Sequence, residues 1–345
     1  MKLLKVDSET FYEFWIKSFE RNPFQSPFIS DLCKPKNAKL NNFIFFDDFN
    51  KPLILYSIYL SFLKSIENTY SSTSTYGFTS PSLYNQSLNK NLFDEFNKYL
   101  DKYLKSKNVI TEYERCSIDE NSFVRNSDNL NHSRFNLTVD LSQSSDAIYQ
   151  NYDRSVRKCL RKAKKDELKV KVVNKENFQK LYIKQFAELY FETMSRNNAE
   201  SYYYFEEQKL HESIRQSIID EYGLLHFVYT KENIPIATEW TLYSRNIGYS
   251  FLGGMSFDFY KSRPAEILKN CIINDLKKIG LKRYNLGGGK EDLDGIYTFK
   301  KKFTHTLPIS VLNSKSIHLP ESYELALENA KLKNLLKENY FPPFI

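Results

Sequence analysis

The sequence predicts an α/β (α+β) fold of two similar units, each a mixed sheet flanked by helices. Three observations predict it. Stretches with apolar residues at the helical period are interspersed with stretches that alternate at the strand period. The order helix, strand, turn, strand, extended segment, helix, strand occurs in the first third of the chain and again over residues 176–287. The turns of the two copies correspond, FNKPLILYSIYL against KENIPIATEWTL, with Pro52 opposite Pro235. A repeat this long is no solenoid; it reads as a duplicated α/β unit.

At 345 residues the chain is long for one core and comfortable for two. It is 41% hydrophobic and 16% aromatic, enough apolar surface to exclude global disorder. The net charge of +7 favours anionic partners such as phosphates, nucleotides or a membrane surface. It is mild beside that of a dedicated nucleic-acid binder. Cys33, Cys116, Cys159 and Cys271 form no C-x-x-C, so neither a zinc site nor a disulfide framework is expected, and a reducing cytoplasm fits. MKLLKVDSETFYEFW lacks the apolar core of a signal peptide. The longest apolar stretch, 52–63, carries polar residues and falls short of a membrane span. The expectation is a soluble cytoplasmic protein, with peripheral contact at the inner membrane surface left open.

A first unit is expected over residues 1–143. It opens with a helix at 8–20, N-capped by Ser8, and an irregular segment around Pro23, Pro27 and Pro35. Strands 42–47 and 52–62 flank the turn 49–51, and 71–82 is extended or looped. Helix 88–105 places Leu92, Phe96, Tyr99, Leu100 and Tyr103 in register, before strands 109–116 and 135–141. A linking helix follows over 144–166, capped at Ser144 or Ser145. Arg154, Arg157, Lys158, Arg161, Lys162 and Lys165 fall on one of its faces, opposite Val156, Cys159, Leu160 and Ala163. Like charges at i, i+4 destabilise a helix by about 0.2–0.5 kcal/mol per pair. The face is therefore either plainly solvated or matched to phosphate groups.

The second unit, 167–314, has helices at 178–194 and 205–218 and strands at 224–229, 234–242 and 248–252. Helix 264–280 carries Leu268, Cys271, Ile272, Leu276 and Ile279 on one stripe. Strand 283–286 runs into Gly287, Gly288 and Gly289, which let the backbone adopt positive φ and let a ligand approach. Glu291, Asp292 and Asp294 follow, then Tyr297, Phe299, Lys300, Lys301, Lys302 and Phe303. This order can build a cleft with cations at its mouth. Residues 315–345 supply a helix over 321–337, after Pro320, and the tail FPPFI that stops it.

Several chemistries are excluded. The three glycines match neither G-x-G-x-x-G nor a P-loop. His132, His211, His226, His305 and His318 have no metal-ligand spacing, so no metal is expected. There is no G-x-S-x-G, and each cysteine sits in an apolar pattern. Glu239, mid-strand beside Trp240, reads either as a base of raised pKa or as a salt-bridged structural carboxylate. Tyr202, Tyr203, Tyr204 and Phe205 follow Arg196; they read either as core and helix entrance or as a stacking wall beside an anion-binding arginine.

SVRKCLRKAKKDELKV, YFETMSRNNAESYYYF, RPAEILKNCIINDLKKIGLKRYNLGGG and DGIYTFKKKF together resemble the Fem-type transferases and their relatives in the GNAT acyltransferase superfamily. STYGFTSPS resembles that family's Tyr-Gly-Tyr-Gly-Gly-Pro loop with several glycines replaced. The resemblance covers most of residues 40–312. It implies two tandem GNAT-like units and transfer of an acyl group to an amine. It implies no permanently bound cofactor and a donor substrate that is acyl-CoA or aminoacyl-tRNA. The acceptor would be a nucleotide-sugar, a lipid-linked saccharide or an amino sugar, belonging to a cell-surface polysaccharide or peptidoglycan precursor. Lys300 would correspond to the active-site lysine, with Phe299 its neighbour and Glu239 a second catalytic candidate. Tyr76, Arg157, Arg161, Arg196, Tyr202 and Tyr204 are the further substrate-binding candidates. The family's glycine-rich pyrophosphate loop is replaced by FYKSRPAEILKN, in which Lys261, Ser262 and Arg263 remain as phosphate-binding candidates at a helix start. A non-catalytic RNA- or membrane-binding protein is the alternative from another class.

Overall fold

The chain begins and ends in one unit and builds the other between. Unit 1 comprises Met1–Ser133 and Val311–Ile345, and unit 2 comprises Arg134–Ser310. The structure is a computed structural model, and it describes residues 1–64, 66–77, 81–85, 89–118, 124–125, 129–337 and 340–344. Residues 78–80 of STYGFTSPS lie outside the described residues.

Unit 1 opens with β1 (Lys2–Val6), α1 (Ser8–Trp15), α2 (Pro27–Leu32), β2 (Ala38–Phe46), β3 (Pro52–Phe62), β4 (Tyr70–Ser74) and β5 (Ser82–Leu83). Next come α3 (Lys90–Ser106) and β6 (Val109–Arg115). The chain passes through β7 (Leu130–Asp140) into unit 2, with α4 (Ser145–Gln150), α5 (Arg154–Lys165), β8 (Lys169–Val173), α6 (Lys180–Arg196), α7 (Glu207–Ile219), β9 (Gly223–Tyr229) and β10 (Pro235–Tyr243). The unit continues with β11 (Ile247–Met255), α8 (Pro264–Lys278), β12 (Arg283–Gly287) and α9 (Gly295–Lys301). It then returns to unit 1 with β13 (Ile309–Ile317) and α10 (Pro320–Leu332).

In unit 1 the strands are ordered β1-β2-β3-β4-β6-β13, all neighbours antiparallel except the parallel pair β4/β6. In unit 2 the order is β8-β9-β10-β11-β12-β7, antiparallel except for the parallel pair β11/β12. The two sheets thus repeat one succession of senses, and β3 and β10 take corresponding places. In each, the parallel pair is joined by a helix, α3 or α8, because a parallel connection needs a crossover. Phe93, Phe96, Leu100 and Leu104 of α3 pack on Phe43, Phe45 and Tyr56. From the expected stripe of α8, Leu268, Ile272 and Leu276 are buried with Val228, Ala237 and Tyr284, and Ile267 and Ile273 join them. Ile279, just past the helix end, is exposed.

The expected single helix over 144–166 is two helices. Ser144 caps α4, accepting from the Ala147 amide. The chain then breaks at Asn151–Asp153. Asp153 accepts from the Ser155 amide as the cap of α5, and donates its own amide to the Lys302 carbonyl at 2.8 Å. Tyr152 is buried against the Phe303 ring. Helix α10 stops at Leu332, short of the expected 337, and β13 runs to Ile317. The edge strands β1 and β8 are additions to the expected elements. No helix among the described residues is long and apolar enough to cross a membrane.

Candidate active site

Strands β11 and β12 start paired, Ile247 with Arg283 through Tyr249 with Asn285. Beyond Tyr249 they part, although β11 continues to Met255. The C-terminal ends of two parallel strands therefore share one edge with an opening between them, the usual place for a ligand in such a sheet.

The loop after β12 is built around Asp294. Its carboxylate caps α9 through the Tyr297 amide at 2.8 Å and also accepts from the Lys290 amide at 2.7 Å. Hydrogen bonds, first from Tyr297, hold Asp294 below the usual carboxylate range. Asp292 ties the loop to β7 by accepting from the Phe135 amide at 2.7 Å. The acidic stretch is thus loop architecture. Gly287 has φ +78°, and a Cβ there would come within 3.0 Å of the Lys300 amine. A Cβ on Gly288 would strike the Phe135 carbonyl. Both positions need glycine for conformation or close approach.

The end of α9 spreads Lys300, Lys301 and the C-cap Lys302. Lys300 turns back to the end of β12 and donates to the Gly288 carbonyl at 2.7 Å. Lys301 donates to the Thr306 carbonyl at 3.0 Å. Lys302 lies toward Asp153 and Glu266, on whose titration it acts. Among the described residues no carboxylate forms an ion pair with Lys300. Burial and, next, the nearby Lys269 ammonium lower its pKa from 10.5 to about 7 against the opposing pull of Glu239 and Asp294. Phe299 packs on Phe303, ring centroids 5.4 Å apart.

Beneath this amine lies a polar cluster that sequence reading missed. Lys269 of α8, buried, donates to Glu239 at 2.5 Å, to Ser250 at 2.8 Å and to the Tyr284 hydroxyl at 3.0 Å. Tyr284 donates to the other oxygen of Glu239. Burial pushes Glu239 up, but the Lys269 ammonium and these hydrogen bonds outweigh it, and the net shift is downward. Glu239 is therefore the anion of a buried pair with both oxygens engaged, a geometry unsuited to a base of raised pKa. Its partner is 30 residues away, and no local pattern announces it.

Lys261 and Ser262 lie in one 3₁₀ turn, and Arg263 is the N-cap of α8 at φ +55°. Arg263 lies over the Tyr260 ring at 5.3 Å. Glu266, in the first turn of α8, is buried. Burial raises its pKa against the pull of its own backbone amide and of Arg263. The Cys159 thiol, 3.9 Å from Glu266, places α5 alongside this turn. Arg157 donates to the Gln150 carbonyl at 2.9 Å, and Lys162 pairs with Asp166. Among the described residues Arg154, Lys158, Arg161 and Lys165 form no ion pair. Arg196, closing α6, donates to the Met255 carbonyl at 3.1 Å and lies over Phe257. Tyr204 stacks on Phe191, and Tyr202 is exposed beside Tyr203. All these candidates belong to unit 2. Tyr76 belongs to unit 1, under the Arg115 guanidinium.

This fold and this edge define a class. Residues 150–301 match the family model described as an acetyltransferase (GNAT) domain. The chain is an enzyme that transfers acyl groups, and its two units have the tandem, Fem-like form of the GNAT fold. The structure is similar to that of FemX, with a TM-score of 0.69 at 13% identity over 94% of this chain and 99% of that one. It is similar to a lysylphosphatidylglycerol synthetase, L-PGS, from Bacillus licheniformis, with a TM-score of 0.60 at 12% identity over 94% and 97% of the two chains. A C-terminal domain of a putative lysylphosphatidylglycerol synthetase from Agrobacterium fabrum gives 0.59 at 12% identity over 94% and 95%. At such identities the likeness is one of fold. No curated protein sequence matches significantly.

Proposed function

We propose that unit 2 transfers an acyl group to an amine of a cell-surface polysaccharide or peptidoglycan precursor on the cytoplasmic side of the membrane, with Lys300 as the group that meets the developing charge. The observation that carries the reading is the Lys300 amine itself. It stands at the open edge of β12, is paired with no carboxylate among the described residues, and titrates near neutrality. A neutral acceptor amine attacks the donor carbonyl carbon. The C–N bond forms and the carbonyl electron pair moves to oxygen. Protonated Lys300 stabilises that oxyanion. Collapse breaks the bond to the leaving oxygen or sulfur, and the amine releases a proton. Proximity of the two bound substrates does the rest, so no enzyme nucleophile is needed. Glu239 and Lys269 serve as the support that fixes the electrostatics under Lys300.

The α8 start bears on the donor. A CoA diphosphate seated there needs free amides at the helix N-terminus. Glu266 puts a buried carboxylate in that turn, engaged with its own amide. This arrangement does not fit a diphosphate, and it favours a second reading in which the donor is an aminoacyl-tRNA ester. Labelled acetyl-CoA and, separately, charged tRNA, each incubated with the protein and amine-bearing precursors, test both. The expected result is label on the precursor amine from the tRNA donor. Label from acetyl-CoA instead returns the donor to CoA. No transfer from either donor by folded protein overturns the acyl-transfer reading and leaves a non-catalytic RNA- or membrane-binding protein.

Arg157 and Arg161 on α5 are assigned to phosphate groups of the substrate. Charge-assisted contacts to a phosphate stabilise by about 1.5–3 kcal/mol each. The double variant Arg157→Glu, Arg161→Glu is expected to raise KM at least tenfold, with kcat little changed, and to flatten the dependence of KM on salt. An unchanged KM in a folded variant means that Arg157 and Arg161 do not hold substrate phosphates.

A further inference from the structure

The edge of unit 2 that carries the candidate site also carries large apolar side chains in contact with solvent. Phe257 (63% exposed) and Tyr260 (50%) follow the end of β11, and Leu293 (69%) and Ile296 (53%) follow the end of β12. Because β11 and β12 are parallel neighbours, both pairs project from the same edge. The contact between Cys159 and Glu266 brings the middle of α5 to the α8 turn that follows Tyr260. The bond from Asp153 to Lys302 brings the start of α5 to the end of α9. The exposed cations Arg154, Lys158 and Arg161 are thus carried on the helix that meets the α8 turn and the end of α9, with Lys261, Arg263 and Lys290 on the loops themselves. Asp258, Glu291, Asp292 and Asp294 lie on the same loops, and with the α5 residues counted the six cations outnumber these four carboxylates.

We infer that this edge docks on an anionic lipid bilayer, with Phe257, Tyr260, Leu293 and Ile296 entering the headgroup boundary and Arg154 and Lys158 of α5 facing lipid phosphates. Charge complementarity selects the anionic surface. The aliphatic members select lipid over nucleic acid, since a base stacks on an aromatic face and gains little from an exposed leucine or isoleucine. Partial insertion of a few apolar residues beside cations gives reversible surface binding and needs no spanning helix.

Vesicle binding reads the inference without turnover, so its failure leaves acyl transfer standing, and failure of acyl transfer leaves it standing. The full chain is sedimented with phosphatidylcholine vesicles, with and without phosphatidylglycerol, at low and high salt. Binding is expected only with phosphatidylglycerol, weakening at least tenfold at high salt. The double variant Phe257→Ser, Ile296→Ser, changed at exposed positions, is expected to bind at least tenfold more weakly. A second measurement uses Phe257→Trp. The two native tryptophans, Trp15 and Trp240, are fully buried, so a blue shift on adding anionic vesicles reports the new side chain leaving water. Equal binding to neutral vesicles, undiminished binding by the double variant, or no blue shift overturns the inference. So does binding of single-stranded RNA that the double variant loses while vesicles go unbound.

Discussion

Lys300→Met is expected to lower kcat by on the order of a hundredfold to a thousandfold, roughly 3–4 kcal/mol of transition-state stabilisation, and to leave the melting temperature unchanged or raised. The catalytic part follows from position. The amine stands at the end of β12 against the Gly288 carbonyl, with no other lysine of α9 turned the same way. The stability part follows from its titration. Its folded pKa, about 7, lies below the unfolded value of 10.5. The unfolded chain thus binds the proton more readily, and native stability rises with pH between those values and is lowest below them. Methionine removes a desolvated amine at the cost of one hydrogen bond to the Gly288 carbonyl. The same titration shapes the rate. Lys300 is protonated below about 7, so the wild-type rate should fall as pH rises through that value, a limb the variant lacks. Lys302→Met, aimed toward Glu266, should change little. Initial rates with a labelled donor and a thermal melt decide the matter. Near-normal turnover by Lys300→Met would sink the assignment.

What the sequence revealed was local or repeated, and what it hid was paired at a distance. The duplicated element order and the turns around Pro52 and Pro235 anticipated two similar α/β units, though not the succession of strand senses that their sheets share. The helical period found α3 and α8 because each buries a stripe on its own sheet. The run from Gly287 to Phe303 was visible as glycines followed by lysines, but the separation of Lys300 from Lys301 and Lys302 depends on where α9 starts, which Asp294 sets as its cap. Asp294 and Asp292 looked merely acidic, because their partners are backbone amides that no pattern displays. The break between α4 and α5 needed Phe303 and Lys302, far along the chain, to bury Tyr152 and meet Asp153. Glu239 offered two readings, and the choice required Lys269 and Tyr284 from other elements. Glu266 was passed over because its significance lies in its burial at the start of α8.

Arg125→Met is expected to destabilise unit 1 by about 3–5 kcal/mol, the range for removing one partner of a buried ion pair. Arg125 is only 1% exposed. Its guanidinium grips Glu112 through two bonds of 3.1 and 3.0 Å and also donates to Asp101 at 2.8 Å and Asn97 at 2.9 Å. Glu112, also buried, meets His318 at 3.1 Å. Burial pushes Glu112 up, but the Arg125 guanidinium and His318 together hold it well below the usual carboxylate range. Two residues along β6, Glu114 is raised by its burial and by the Glu112 charge. Asp101, Glu112 and His318 could by their spacing hold a metal ion, yet Arg125 already bonds two of them and supplies the cation. Methionine fills similar volume and offers no charge. The depressed pKa of Glu112 contributes stability that is present above its unfolded value and lost as pH falls through the folded one. Without Arg125 that contribution is gone and Glu112 takes up a proton more easily, so the deficit should be greatest near pH 7 and shrink in acid. Chemical denaturation at several pH values measures it. The double variant Arg125→Met, Glu112→Leu should recover much of the loss, since no buried charge is left unpaired. A single variant as stable as wild type at pH 7 would show that the network adds nothing to the fold.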